Sequence, residues 1–180
     1  MKFYYALLAL TVLERLAELV VSVANARWSL ARGGRETGCE HFPAMVVLHV
    51  AFLVGCAVEP WLEHRTELPP FAALAIVAAL ACHALRWWCV ATLGRFWNTR
   101  VIVTPGQRRV ETGPYRWMSH PNYLAVIVEG VALPAIAGAW ITATAFTALN
   151  ALLLRRRIEV EELALAGLLI GDGHGSTRSA

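Results

Sequence analysis

The run from 123 to 154 is almost wholly apolar and carries Pro134 and Gly138 near its middle. As one helix rising 1.5 Å per residue it would be about 48 Å long, against a bilayer hydrocarbon core of about 30 Å. Proline removes a backbone donor and clashes with the preceding turn. The run is therefore expected to break into two helices, 122–137 and 139–156, joined by a tight turn. Three more apolar runs, 3–26, 43–62 and 70–92, each approach the roughly 20 residues that span a bilayer. The expected fold class is an all-α integral membrane protein of about five transmembrane helices, the last two a helical hairpin. Composition agrees: 57% of the 180 residues are hydrophobic and 16% charged, against about 45–50% and about 25% in soluble domains. That excludes an ordinary soluble enzyme and a disordered chain. A net charge of +3 is too small to point to a nucleic-acid partner.

The basic residues set an orientation. With five spans, the N-terminus, the 63–69 loop and the tight turn share one side and carry two Lys/Arg, Lys2 and Arg65. The 27–42 loop, the 93–121 loop and the tail share the other and carry twelve. The positive-inside rule puts the second side in the cytoplasm and the N-terminus outside, in a multi-pass protein. Glu14, Arg15 and Glu18 interrupt the first apolar run, which reads as an uncleaved membrane helix rather than a signal peptide. One domain is expected over 1–180: three helices in 1–92, a polar loop and the hairpin in 93–170, and a flexible tail at 171–180. The four cysteines contain no CxxC pair. Cys82 and Cys89, seven apart, read as small buried hydrophobes on one helix face.

Polar residues that could carry chemistry fall into two clusters. The first is the segment LGRFWNTRVIVTPGQRRVETGPYRWMSHPNY, 93–123. Its middle, 101–110, predicts a short β-hairpin in the cytoplasmic loop, with Thr104-Pro105-Gly106-Gln107 as the turn. Gly113-Pro114 predicts a second turn. His120-Pro121-Asn122 opens the fourth helix, since proline suits the first helical turn. The free N–H groups there favour an anionic group. The second cluster is Arg155-Arg156-Arg157-Ile158-Glu159-Val160-Glu161-Glu162. Its arginines suit a membrane boundary. Arg157 and Glu161, four apart on one helix face, form either a structural pair or part of a site. An arginine offers a fork for a carboxylate, and a glutamate accepts from an amine or a ribose hydroxyl. The hairpin would return this cluster to the membrane face that holds His120.

Other polar residues lie within the apolar runs. Glu14 and Glu18, with Arg15 beside them, either pair among themselves and with Arg86 to hold helices together, or serve a function. Glu129, two turns into the fourth helix, either faces a cavity or supports structure. His49, His64 and His83 read as packing or surface residues. No spacing of His, Cys or Asp matches a metal site. The glycine-rich 171–175 run lacks the strand and helix that a nucleotide loop needs.

At GPYRWMSHPNY followed by RRRIEVEEL, the chain resembles the isoprenylcysteine carboxyl methyltransferase family, integral membrane enzymes that use S-adenosylmethionine. The similarity is densest over about 86–165. It looks closest to a bacterial branch, some of whose members O-methylate alkylpyrones or alkylresorcinols made by polyketide synthases. The resemblance implies that Gln107, Arg108, Arg109, Val110, Tyr115, His120, Pro121, Asn122, Tyr123 and Glu161 grip the cofactor, and that Arg157 acts at the substrate. Arg95, Trp97, Thr99 and Arg100 match a further family stretch. The chain departs from the pattern at Ser119, where an arginine commonly precedes His-Pro, and in its tail, which lacks the family's tyrosine- and arginine-rich ending.

The expected activity is methyl transfer to an oxygen, carboxylate or enol/phenol, of a lipophilic substrate that enters from the bilayer, with a possible functional link to a polyketide synthase. An oxygen already anionic at neutral pH needs no strong base, only positioning and exclusion of water. For a phenol, Glu129 or His120 is the candidate to take the proton. Two other classes compete. An NADPH-dependent membrane reductase shares the HPNY element but predicts hydride transfer; the RRRIEVEEL element favours the methyltransferase. A membrane scaffold or small transporter predicts polar residues spread through several spans, whereas here they concentrate at one face.

Overall fold

The first helix, α1 (Lys2–Leu30), buries a polar stripe beyond its apolar first turns and turns aliphatic side chains outward. Thr11, Glu18, Ser22, Asn25 and Ser29 are buried, whereas Leu10, Leu13, Leu16, Leu19, Val20 and Val23 are exposed. The buried positions recur at three-, four- and seven-residue intervals, so they form one stripe along the helix. A helix in water would reverse this arrangement; one in lipid gains by it. The computed structural model describes residues 1–38, 42–105 and 110–172, giving for 164–172 the helix alone.

After α1 come β1 (Arg35–Thr37), α2 (Phe42–Leu62), α3 (Ala72–Leu93), β2 (Val101–Val103), α4 (Pro121–Ala135) and α5 (Trp140–Asp172). Short 3-10 turns lie at Gly94–Phe96 and Gly113–Arg116. Among the described residues five long helices thus stand where five apolar stretches were expected. Of these, α2 and α3 have both the length and the hydropathy to cross a membrane. α1 is long enough but carries charges in its middle, and α4 has 15 residues. Large apolar side chains cover the outer faces: Val20 is 71% exposed, Leu74 73% and Ile141 72%. So much exposed aliphatic surface is a membrane-facing belt.

The break in the last apolar run falls where proline and glycine predict it. α4 ends at Ala135, one residue after Pro134, and α5 starts at Trp140. Gly138 turns the chain at φ +72°, and the Ala139 N–H returns 2.9 Å to the Pro134 carbonyl. The free N–H groups at the start of α5 are met from another helix: Glu59 of α2 accepts from the Ile141 N–H at 2.9 Å, the Thr142 N–H at 2.7 Å and the Thr142 hydroxyl at 2.6 Å. α5 does not stop near 156 but continues unbroken to Asp172. Good helix formers follow Leu154, with no proline to stop the ladder. Gly171 and Asp172, expected in the flexible tail, close this helix; 173–180 lie outside the described residues.

The loop's strand finds a partner that the sequence did not predict. Val101–Val103 pairs antiparallel with β1, Arg35 opposite Val103 and Thr37 opposite Val101; the predicted turn and return strand fall largely on 106–109, outside the described residues. The β-branched run specifies a strand but not what it pairs with. The linker after α1 supplies the partner, and the pairing helps bury Ile102 and Val103.

α3 packs on α4, α4 on α5, and α5 on α2. Gly130 lets α4 approach the Phe146 ring of α5, into which a Cβ would run. The core collects around Phe52, Cys56, Leu133, Ile136 and Phe146, with Tyr4, Leu7 and Leu8 from α1. There Tyr4 donates to the Cys56 carbonyl at 2.8 Å, tying α1 to α2.

Candidate active site

The antiparallel α4–α5 hairpin sets the start of α4 against the inner face of α5 after Leu154. Along α5 the buried residues Ala143, Phe146, Asn150 and Leu154 define a stripe that Arg157 and Glu161 continue at the same helical spacing. Arg155 and Arg156 are exposed, while Arg157 is half-buried. Arg157 Nε donates to the Tyr123 hydroxyl at 2.9 Å, and that hydroxyl donates to Glu161. The His120 ring stacks on Tyr123, centroids 5.1 Å apart, and its Nε2 lies 3.0 Å from Glu162. The two polar clusters therefore meet.

They form one wall of a cleft of about 130 Å³. Its other walls are the Leu93–Val103 loop, Val110, Tyr115 and Ser119. Of the residues that the resemblance assigned to the cofactor, Val110, Tyr115, His120, Asn122, Tyr123 and Glu161 line this cleft, and so does Arg157. Pro121 is buried just behind it, as the first residue of α4. Gln107, Arg108 and Arg109 lie outside the described residues. Burial and the neighbouring Cys89 thiol push the Tyr115 phenol above its ordinary range, so it stays protonated. Arg100 pairs with Glu36 of β1 at 3.3 Å, so the strand pair braces the cleft's rim.

A second cavity begins where the cleft ends. It is an open groove of about 690 Å³ between α1 and α2, walled by aliphatic residues such as Leu8, Val12, Leu16, Val46, Val50 and Leu53. Trp97, Asn98, Asn122, Tyr123 and Arg157 line both cavities. The polar cleft and the apolar groove thus share a junction.

The loop that builds this junction is held by α1. Asn25 donates to the Gly94 carbonyl at 3.0 Å and the Trp97 carbonyl at 2.8 Å. The Thr99 N–H donates to the Ser22 hydroxyl at 2.9 Å. Nothing in motif spacing flagged Ser22, Asn25 or Asn98. The signal for the first two was present in the polar stripe of α1, whose members recur on one face of an otherwise apolar helix.

Glu129 does not line the cleft. It belongs to a buried ion cluster joining three helices: Glu14, Arg15 and Glu18 of α1, His83 and Arg86 of α3, and Glu129 of α4. Arg86 forks onto Glu18, with Nε at 3.0 Å from Oε1. Arg15 lies 3.1 Å from Glu18 and 3.7 Å from Glu129, and His83 2.5 Å from Glu14. His83, expected as a packing or surface residue, is buried in this cluster. No group of metal-ligating side chains occurs among the described residues.

Residues 73–167 match the isoprenylcysteine carboxyl methyltransferase (ICMT) family. The chain belongs to that family and is a membrane methyltransferase. It is also similar to the uncharacterized protein YpbQ of Bacillus subtilis (strain 168), 34% identical over 162 residues that cover 90% of this chain and 96% of that protein. No solved structure matches it.

Proposed function

We propose that this protein transfers a methyl group from S-adenosylmethionine to an oxygen of a lipophilic acceptor that reaches the site through the α1–α2 groove. The observation that carries this reading is the junction, where a polar cleft opens into a groove walled by aliphatic residues. The cleft's residues fit such a cofactor. Glu161 is an acceptor for amine or ribose hydroxyl hydrogens, His120 and Tyr123 offer an aromatic surface, and Asn122 Oδ1 is buried without a hydrogen-bond partner among the described residues. When bound, the cofactor supplies an electrophilic sulfonium methyl.

The chain's own residues position and shield. Arg157 donates to the Tyr123 hydroxyl, which in turn donates to Glu161, and this chain fixes the side chains at the junction. Arg157 spends Nε on Tyr123 and one Nη1 hydrogen on the weak Met45 sulfur acceptor at 3.4 Å. A guanidinium has five donors, so the remainder are left for an acceptor oxyanion. An isoprenylcysteine-like carboxylate, or the enol or phenol of an alkylpyrone or alkylresorcinol from a polyketide synthase, presents such an oxygen at the end of a lipid tail. Five spans with the N-terminus outside would place the cleft at the cytoplasmic face, as the arginine asymmetry supports.

The test is calorimetric titration of the detergent-purified protein with S-adenosylmethionine and with NADPH. Saturable binding of the first, lost in His120→Ala and Glu161→Ala, is expected. Binding of NADPH alone would move the chain to the reductases.

A further inference from the structure

Two polar side chains lie partway down the apolar groove, away from the junction. Asn150 of α5 is 5% exposed and lines the groove. Its carboxamide makes no hydrogen bond among the described residues, yet its polar atoms are not sealed inside the protein. They open to the groove. His49 of α2 lines it as well. The His49 Nδ1 lies 2.8 Å from the Met45 carbonyl. A carbonyl only accepts, so Nδ1 carries the hydrogen and the neutral ring presents Nε2 as an acceptor. The His49 ring packs edge-on against Phe146, centroids 5.3 Å apart, and Asn150 lies one turn from Phe146 on the same face of α5. Both groups therefore face one stretch of the groove. An unpaired amide in apolar surroundings is costly and uncommon, and the bilayer core supplies no water to meet it.

We infer that Asn150 and His49 bind a hydroxyl carried partway along the acceptor's tail. This rests on the methyltransferase reading above, and concerns the tail rather than the group that is methylated. A hydroxyl both donates and accepts. It gives its hydrogen to His49 Nε2 and takes one from Asn150 Nδ2. A carbonyl or ether oxygen would meet Asn150 and leave Nε2 without a donor, and a plain alkyl chain would meet neither. The helices set its position. Asn150 and Arg157 are seven residues apart on α5, about 10 Å at 1.5 Å per residue. A long side chain on a helix leans toward the N-terminus, which carries the Arg157 guanidinium toward Asn150. That guanidinium also reaches Met45, one turn from His49. The hydroxyl therefore sits about 5–10 Å from the oxyanion at Arg157, from one helical turn on α2 to the full spacing on α5. It is neither beside the head group nor at the far end of a long tail.

The experiment compares stearate, 2-hydroxystearate and 7-hydroxystearate by calorimetric binding to detergent-purified protein. The wild type is expected to bind 7-hydroxystearate at least about tenfold more tightly than either of the others. Asn150→Leu and His49→Phe are each expected to bind the three alike. Asn150→Leu should melt no lower than the wild type, because it removes an unpaired amide; a lower midpoint would show that the amide is bonded within the fold and overturns the inference. Equal binding of stearate and 7-hydroxystearate by the wild type also overturns it, and leaves the methyltransferase reading standing. A preference that survives both substitutions overturns the roles of Asn150 and His49. Binding of none of the three lipids, with S-adenosylmethionine still bound, overturns the groove as the acceptor's path, and loss of S-adenosylmethionine binding as well overturns the methyltransferase reading itself.

Discussion

Two polar regions lie within this apolar molecule, and they are finished differently. In the α1–α3–α4 cluster every charged side chain has an opposite charge within 4.0 Å. At the cleft–groove junction the polar atoms of Asn98 and Asn122 Oδ1 are buried and have no hydrogen-bond partner among the described residues, and Arg157 keeps donors in reserve. A cluster that satisfies its own charges holds helices together in lipid, where nothing else would solvate them. Buried atoms without a hydrogen-bond partner occur in both regions, Arg15 Nε and Glu129 Oε1 of the ion cluster among them, so what marks the junction as the place for a ligand is the meeting of cleft and groove there. Polarity alone does not separate the two, because both draw on Glu, Arg, His and Asn.

The largest effect should come from breaking the charge-paired cluster. Glu18 is 2% exposed and holds both Arg86 and Arg15. Glu18→Ala strands a buried guanidinium and should cost about 3–5 kcal/mol of stability, read as a lower thermal midpoint in detergent. The double variant Glu18→Leu, Arg86→Leu should recover much of that loss, because removing both charges removes the desolvation penalty too. A Glu18→Ala protein that melts like the wild type would erase the distinction between the regions.

The second effect belongs to the junction. Arg157→Ala removes the donors proposed for the acceptor oxyanion, and should lower methyl transfer about a hundredfold. S-adenosylmethionine affinity should hold, because Glu161, His120 and Asn122 remain. The melting curve should shift little, since Arg157 is half-buried and its partners keep other bonds. Stability and activity then dissociate in opposite senses at the two clusters. An Arg157→Ala protein with normal turnover would sink the assignment.

How legible each region was in the sequence follows from how local its causes are. The helices were readable because their determinants are local. Runs 43–62 and 70–92 became α2, Phe42–Leu62, and α3, Ala72–Leu93, and Pro134 with Gly138 marked the hairpin. The extension of α5 to Asp172 was missed because the expected end followed apolar character, while the backbone followed helix propensity. The partner of Val101–Val103 was missed because strand pairing is chosen in three dimensions; the strand in β1 lies 64 residues or more away. The return of the 155–162 cluster to the face that holds His120 was foreseen from the hairpin; the pairs His120 with Glu162 and Tyr123 with Arg157 were not. Asn98 was not, because an asparagine in a loop has no distinguishing pattern until its neighbours are seen to be occupied.

The smallest effect sharpens the comparison from outside both clusters, in the groove that connects the junction to lipid. The groove runs along α1 from Tyr5 to Leu19, about 21 Å at 1.5 Å per residue, and Arg15, Glu18 and Arg86 of the ion cluster form part of its wall. Leu53 lines the groove partway along and is half-buried. Leu53→Trp fills that stretch with an indole while leaving every polar contact in place. Acceptors with long tails should then lose affinity by about 0.8 kcal/mol, roughly fourfold, for each methylene displaced, and short-tailed acceptors should bind as before. Measured over a series of alkyl lengths, the affinity of the variant should level off at a shorter tail than that of the wild type. The plateau would mark where the tail passes Leu53. If both proteins level off at the same length, the tail lies elsewhere, and the shared wall of cleft and groove is not the route by which the acceptor arrives.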